Sequence, residues 1–450
     1  MSKNKKDDSN QNRGISRRDF VKNTSIAAGG GLLLSSLPVG AGAYAGGSAT
    51  LKVALVGCGG RGTGAARQAL STGDGVQLVA MADAFRDRLD ESLETLNKVF
   101  GEENPEKLNV PEEHKFVGFE AYKEAISLAD VVILATPPGF RPSHFEEAIN
   151  AGKHVFMEKP VATDAPGVRR VLETGKLADE KGLNVVVGLQ RHYQNSYREV
   201  IKRINRGDIG KITSGQVYWN SDGVWVRERK PHQNEMEYQM RNWYYFVWLC
   251  GDHIMEQHIH NIDVANWFIG EYPVSAQGMG GREVRTGSEH GQIFDHHFVE
   301  FTYSGGAVVA SQCRHQPNTM SRVSESFQGT KGSVDISGDS GTMKNLKGKT
   351  IYEHDGENDP NPYQVEHDEL FAAIRNGGHI NDAENGAKST MAALLGRMAT
   401  YSGKVITWDE AIKSEKSEMP EKLGWEETPP VVPKKNGLYP VPVPGVTEVL

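Results

Sequence analysis

Cysteine is scarce: only Cys58, Cys250 and Cys313 occur in 450 residues. Three thiols rule out a disulfide framework as the source of stability. Long apolar runs are also missing once the N-terminus is set aside, which excludes an ordinary helical membrane protein. Positive charge is not in excess, with 50 Lys and Arg against 58 Asp and Glu and a formal net charge of -8. Such a balance excludes electrostatic binding to nucleic acid or anionic membranes. A hydrophobic content of 38% over this length is enough for a sizeable core, with two domains the natural division.

The first residues read as an address rather than as fold. Ser16 to Asn23, "SRRDFVKN", carries the twin arginines Arg17 and Arg18, then Phe20 and Lys22. A weakly apolar, Gly-rich run follows from Ile26 to Ala43, and Ala43 to Ala45 supplies the small residues of a cleavage site. Basic region, apolar region and cleavage site in that order predict a twin-arginine (Tat) export signal over 1–45 and a periplasmic or cell-envelope location. The Tat route carries chains already folded, which suits a protein without disulfides.

"LKVALVGCGGRGTGAAR", Leu51 to Arg67, is a short β-rich run followed by Gly57, Gly59 and Gly62 in G-x-G-x-x-G spacing, then a helical pattern to about Leu70. The first Gly permits the tight turn, the second lets a pyrophosphate approach the backbone, and the third lets helix and strand pack closely. The helix N-terminus adds free N–H groups and positive dipole. "VQLVAMAD" is a second strand ending in Asp83, placed to bond ribose hydroxyls and favour NAD; Arg86 and Arg88 leave NADP open. Strand–helix alternation continues through "ADVVILATPP", "KHVFMEKP" and "LNVVVGLQ", predicting an α/β doubly wound parallel sheet. Ligands of such sheets sit at the strands' carboxyl ends. Cofactor contacts are therefore expected from Gly57, Gly59, Gly60, Arg61, Gly62, Asp83, Thr136, Pro137, Pro138, His144, Glu158, Lys159 and Gln190.

"MEQHIHNIDVANWF", Met255 to Phe268, raises the question of chemistry. On one continuous helix Glu256, His260 and Asp263 fall at i, i+4 and i+7 on one face, and His258 points elsewhere. Two histidines at i and i+2 are a poor helical chelate, so no metal is expected. Oxidising an alcohol requires removal of the O–H proton, a task suited to an imidazole such as His260. The bland alternative is a buried helix histidine bonded to a backbone carbonyl.

Taken together, "GCGGRG", "ATPP", "EKP" and "EQHIHNIDVANWF" occur in the order and spacing of the Gfo/Idh/MocA oxidoreductases, which the chain resembles from about Leu51 to Lys404. The resemblance implies a Rossmann domain followed by an α/β domain with a large, mostly antiparallel open sheet that mediates oligomers. The divisions expected are 46–188 for the first, 189–414 for the second and 415–450 for an extended Pro-rich tail wrapping a neighbour or a groove. Helical patterns at Tyr363 to Arg375 and Glu384 to Tyr401 belong to the second domain, the latter packing back on the first. The resemblance also implies His260 as base, Lys159 hydrogen-bonding the same oxygen, and an acid four residues before the His. Here that acid is Glu256 in place of the commoner Asp, and His258 is an addition.

Substrate contacts are expected from Arg191, His192, Arg241, Trp243, Tyr244, Tyr245, His258 and Asp263. The function implied is oxidation of a ring hydroxyl of a sugar or glycoside, C3 in exported relatives, by a homodimer or homotetramer. Two alternatives stand beside it. One is an NAD-dependent glycosidase working by oxidation, elimination, water addition and reduction; the other is a non-catalytic sugar-binding sensor. Export to a compartment without free NAD further implies a tightly bound cofactor, loaded before export and reoxidised by a second substrate.

Overall fold

The computed structural model describes residues 50–450; the expected export signal, 1–45, lies outside them. Six strands form the first sheet: β1 (Leu51–Val56), β2 (Val76–Asp83), β3 (Lys115–Val117), β4 (Val131–Leu134), β5 (His154–Met157) and β6 (Val185–Val187). All pair in parallel, in the order β3-β2-β1-β4-β5-β6. The chain steps outward from β1 to β3, then returns to the other side of β1 with β4. That reversal opens a crevice at the strands' carboxyl ends. β1 is buried at every position except Lys52, as a strand covered by helices on both faces must be. β3 is a short edge strand, Lys-Phe-Val, with too little pattern to be read from sequence.

The second sheet has nine strands: β7 (Ile212–Ser221), β8 (Pro273–Gly281), β9 (His296–Tyr303), β10 (Val308–His315), β11 (Arg322–Gly329), β12 (Gly332–Ser337), β13 (Ser340–Asn345), β14 (Thr350–His354) and β15 (Ile406–Thr407). Its order is β14-β13-β12-β11-β7-β10-β9-β8-β15, antiparallel throughout except where β7 and β10 run parallel. On β9, His297, Val299, Phe301 and Tyr303 point inward and the alternate residues do not. This is the period-2 pattern of a sheet with one covered face. β11, β13 and β14 carry little strand signal in their sequences, because "RVSESFQG", "SGTMKN" and "TIYEH" have few apolar residues.

The two long helices form at Pro362–Asn376 and Ala383–Ser402. The second has hardly an exposed position, because it is wedged between helix Ala165–Glu180 of the first domain and β8 and β9 of the second. Small residues allow the approach: a Cβ on Gly175 would stand 2.8 Å from Ala383 Cβ, and one on Gly396 2.9 Å from the Phe301 ring. One continuous apolar core therefore runs from β5 and β6 through this helix to β9 and β10. Among the described residues no helix is long and apolar enough to cross a membrane.

Candidate active site

A cleft of about 620 Å³ opens at the carboxyl ends of the first sheet, facing β7 and the segment before helix Ile259–Ile269. That is ample for a cofactor and a small substrate. Its floor is the turn after β1. Gly57 has φ +95°, and a Cβ there would lie 2.5 Å from the backbone of Ala135 and Thr136. At Gly62 a Cβ would meet the Gly57 carbonyl oxygen at 2.0 Å. At Gly59 and Gly60, by contrast, nothing lies within 4 Å, so these two present bare backbone to the cleft. Helix Gly60–Leu70 starts there without a side-chain cap, leaving its first N–H groups for a ligand. Asp83 accepts the Cys58 N–H at 2.7 Å and the Phe85 N–H at 2.9 Å, which holds its carboxylate at the end of β2. Bare glycine backbone, uncapped N–H groups and an anchored acid fit the pyrophosphate and ribose of a dinucleotide.

Every residue expected to touch the cofactor lines this cleft. Arg61 pairs with Glu158 and, at 3.4 Å, with Glu366, and lies 4.9 Å from the Tyr363 ring centroid. Arg141, buried, donates to the Glu158 carbonyl at 3.0 Å and the Thr136 carbonyl at 2.5 Å, tying the turns after β4 and β5 together. Glu366 and Tyr363 come from helix Pro362–Asn376, some 300 positions away in sequence, where no local signal could have found them.

At the inner end, Lys159 Nζ donates to the Glu256 carbonyl at 2.6 Å and stands 3.6 Å from Glu256 Oε2. His260 lines the same end, its ring stacked on Trp219 with centroids 5.9 Å apart. The single helix expected across this stretch does not form. Asp252 caps a one-turn helix, His253–Glu256, and a new helix begins at Ile259. The break at Gln257 and His258 separates Glu256 from His260 and Asp263, which share the second helix. Burial pushes the Glu256 carboxyl up to about 7, with Lys159 pulling back and Glu158 pushing further. Burial, then Lys159 and Arg191, hold His260 well below the usual imidazole range, so its imidazole is neutral. Glu256 Oε2, His260 Nδ1, Gln190 Oε1 and the Tyr244 hydroxyl are buried without a hydrogen-bond partner among the described residues. All four residues line the one cleft.

Several expected substrate contacts do not line the cleft and serve the scaffold. Arg191 is buried against Glu325, which also accepts from Asn261 at 2.5 Å. His192 bonds Asp263 at 2.7 Å; burial lowers its imidazole, but Asp263 outweighs this and raises it. Asp263 also accepts from Ser389 at 2.7 Å, pinning helix Ile259–Ile269 to helix Ala383–Ser402. His258 Nε2 is 2.7 Å from Ser311 Oγ on β10, away from His260's surroundings. The Tyr245 hydroxyl reaches the Val224 and Trp225 carbonyls at 3.2 and 3.0 Å, fixing the loop that carries Trp225. Arg241, Trp243 and Tyr244 do line the cleft, but Arg241 is engaged with Asp87 at 2.9 Å and lies 4.0 Å from the Phe85 ring centroid. Trp219, Trp225, Arg227 and Gln257 line it too and were missed. Trp219 lies within β7 and Trp225 in the loop after it, and neither segment carries a motif.

The Glu256 shift makes a stability prediction. Between pH 4.5 and about 7 the folded chain keeps a proton that the unfolded chain has released. Stability therefore falls as pH rises through that window, by about 3 kcal/mol in all, and is level above it. Urea unfolding of the wild type and Glu256→Gln from pH 4.5 to 8 should show the wild type losing stability relative to the variant by that amount. A difference independent of pH would mean that this carboxyl titrates normally.

Two consecutive profiles of one family match the chain. Residues 51–189 match the Gfo/Idh/MocA oxidoreductase family, NAD-binding Rossmann fold, and residues 197–335 match the Gfo/Idh/MocA C-terminal domain. The chain belongs to the Gfo/Idh/MocA family. It is 29% identical over 152 residues to an inositol 2-dehydrogenase of Rhizobium meliloti, covering 34% of this chain and 40% of that one. Against the inositol 2-dehydrogenase of Burkholderia multivorans it is 29% identical over 248 residues, 54% of this chain and 61% of that one. The matches thus span about half the length of these relatives. The crystal structure of aldose-aldose oxidoreductase from Caulobacter crescentus, complexed with glycerol, shares the fold with a TM-score of 0.61 at 20% identity, covering 80% of this chain and 99% of that one.

Proposed function

We propose that the protein is an NAD-dependent dehydrogenase that oxidises a ring hydroxyl of a sugar or glycoside, at C3 of a glucoside. The observation carrying this reading is the convergence of Lys159, Glu256 and His260 at the inner end of a cleft whose floor is a dinucleotide cradle. A nicotinamide bound there supplies the hydride acceptor. His260 takes the hydroxyl proton onto its neutral imidazole. Lys159 has three N–H donors; the Glu256 carbonyl uses one, another faces the Glu256 carboxylate, and the third is free to hold the substrate oxygen as it gains charge. Gln190 and Tyr244 offer an unused acceptor and donor to neighbouring hydroxyls. Trp219, Trp225 and Trp243 give the sugar's C–H faces an apolar wall and help exclude water. Relatives named for inositol dehydrogenation and for aldose-aldose oxidoreduction support a polyhydroxylated substrate.

Glu256 favours a second reading. A carboxyl near pH 7 both gives and takes protons readily, which an elimination following the oxidation would need. The test is to add methyl glucosides, inositols, free sugars and an aryl glycoside in turn to protein loaded with NAD. A reduced-nicotinamide absorbance band that rises and persists supports the dehydrogenase. Aryl release without a lasting band favours the redox glycosidase. No response to any of them sinks both and leaves the sensor reading.

The proposed location is the periplasm or cell envelope, supported by Arg17, Arg18 and the apolar run behind them. The proposed assembly is a homodimer or homotetramer through the open sheet, supported by exposed Val274, Met279 and Val308 on β8 and β10.

A further inference from the structure

Residues 415–450 contain neither helix nor strand, yet they are not a loose end. They begin against the first domain: Arg169 Nη1 donates to the Ser414 carbonyl at 2.8 Å, and Asp164 accepts the Glu418 N–H at 2.8 Å. Met419 then lies over Gly139, in the turn after β4, so closely that a Cβ there would be 2.7 Å from its sulfur. Trp425 comes next, with its ring centroid 5.1 Å from that of Phe85 and 4.6 Å from that of Phe119. From there the segment is held by the second domain: Asn234 Nδ2 donates to the Trp425 carbonyl at 2.6 Å, and Gln239 Nε2 to the Val431 carbonyl at 2.6 Å.

The place of Trp425 gives this path a meaning. Asp83, at the end of β2, marks the adenosine end of a cleft of this topology. Phe85 is two residues beyond Asp83, and Phe119 follows β3; both line the cleft. Trp425 backs both rings from outside. Parting these walls, or swinging one domain from the other, would break the hydrogen bonds on one side of the segment and expose the indole.

We propose that residues 415–450 are a strap that retains the dinucleotide between turnovers, with Trp425 as its latch at the adenosine end. The proposal rests on the cleft holding a dinucleotide and is independent of which hydroxyl is oxidised. A retained cofactor must be reduced by one substrate and reoxidised by another in the same cleft. Release is then governed by how often the strap opens, and loss of its aromatic contacts acts on the dissociation rate.

The test follows NADH fluorescence. Wild type, Trp425→Ala and Asn234→Ala are loaded with NADH, passed through gel filtration, and mixed with a large excess of NAD. Circular dichroism checks that each is folded, and Asn234→Ala serves if the first variant is not. The wild type should keep NADH through the column and exchange it slowly. Each folded variant should exchange about tenfold faster, the scale of a pair of aromatic contacts or of one hydrogen bond. Equal exchange rates in wild type and variants, or loss of NADH from the wild type on the column, would overturn the strap. Failure of all three to bind NADH under any condition would overturn the cofactor reading as well.

Discussion

Replacing His260 with alanine is expected to lower kcat/KM for the sugar by about 10²- to 10⁴-fold while leaving NADH binding unchanged, the range a positioned general base contributes. His260 lines the cleft between Trp219 and the Lys159–Glu256 pair, held neutral by burial and by nearby cations. Removing it leaves the alcohol proton only Glu256 or water as acceptor, and the tryptophan walls limit water. NADH affinity is the control, because the glycine turn and Asp83 are contributed by other elements. If the variant kept more than a tenth of wild-type activity, His260 would be a packed helix histidine and the base would have to be sought at Glu256.

Lys159→Met should cost about 10²- to 10³-fold in kcat, the scale of one donor removed from a developing oxyanion. Methionine preserves the shape of the stem, so a loss would report the missing charge and N–H groups. The substitution has a second readout. Lys159 lowers both the Glu256 carboxyl and the His260 imidazole. Without it both should titrate at higher pH, and the pH profile of the remaining activity should move up. A drop in activity with an unmoved profile would mean that Lys159 acts only through packing. Lys159→Arg should not rescue, since a planar guanidinium cannot place a point charge between the Glu256 carbonyl and a substrate oxygen.

The cofactor half of the site was readable in advance because its signal is local. Gly57, Gly59 and Gly62 sit within one turn, Asp83 ends the next strand, and the ATPP and EKP turns each follow a strand of their own. Backbone constraint and strand order place them together whatever the rest of the chain does. The substrate half was read less well because it depends on how two sheets meet. His258 and Asp263 share a motif with His260, yet His258, at the break before the second helix, bonds Ser311, and Asp263, three residues beyond His260 on that helix, bonds Ser389. A continuous helix was assumed where Asp252 caps one turn and a second helix starts afresh. Arg191 and His192 follow a strand's carboxyl end, as a ligand contact should, but buried Glu325 and Asp263 claim them. Trp219 and Trp225 reach the cleft from β7 and the irregular loop after it, neither of which carries a recognisable motif.

By itself the sequence determined the parallel sheet and the glycine-rich turn and acid of the dinucleotide cradle, while Lys159, Glu256 and His260 were singled out through the family resemblance. The sheet and the cradle follow from short-range rules: glycine where a Cβ cannot fit, strand–helix alternation, and an acid at a strand end. Only the tertiary structure decided which histidine faces the cleft, which arginines are consumed by buried carboxylates, and where the proline-rich tail runs. Those outcomes depend on partners hundreds of residues apart, such as Arg61 with Glu366 or Trp425 with Phe85. A side chain's charge is free for chemistry only if no distant carboxylate has already met it, and that is settled when the core closes.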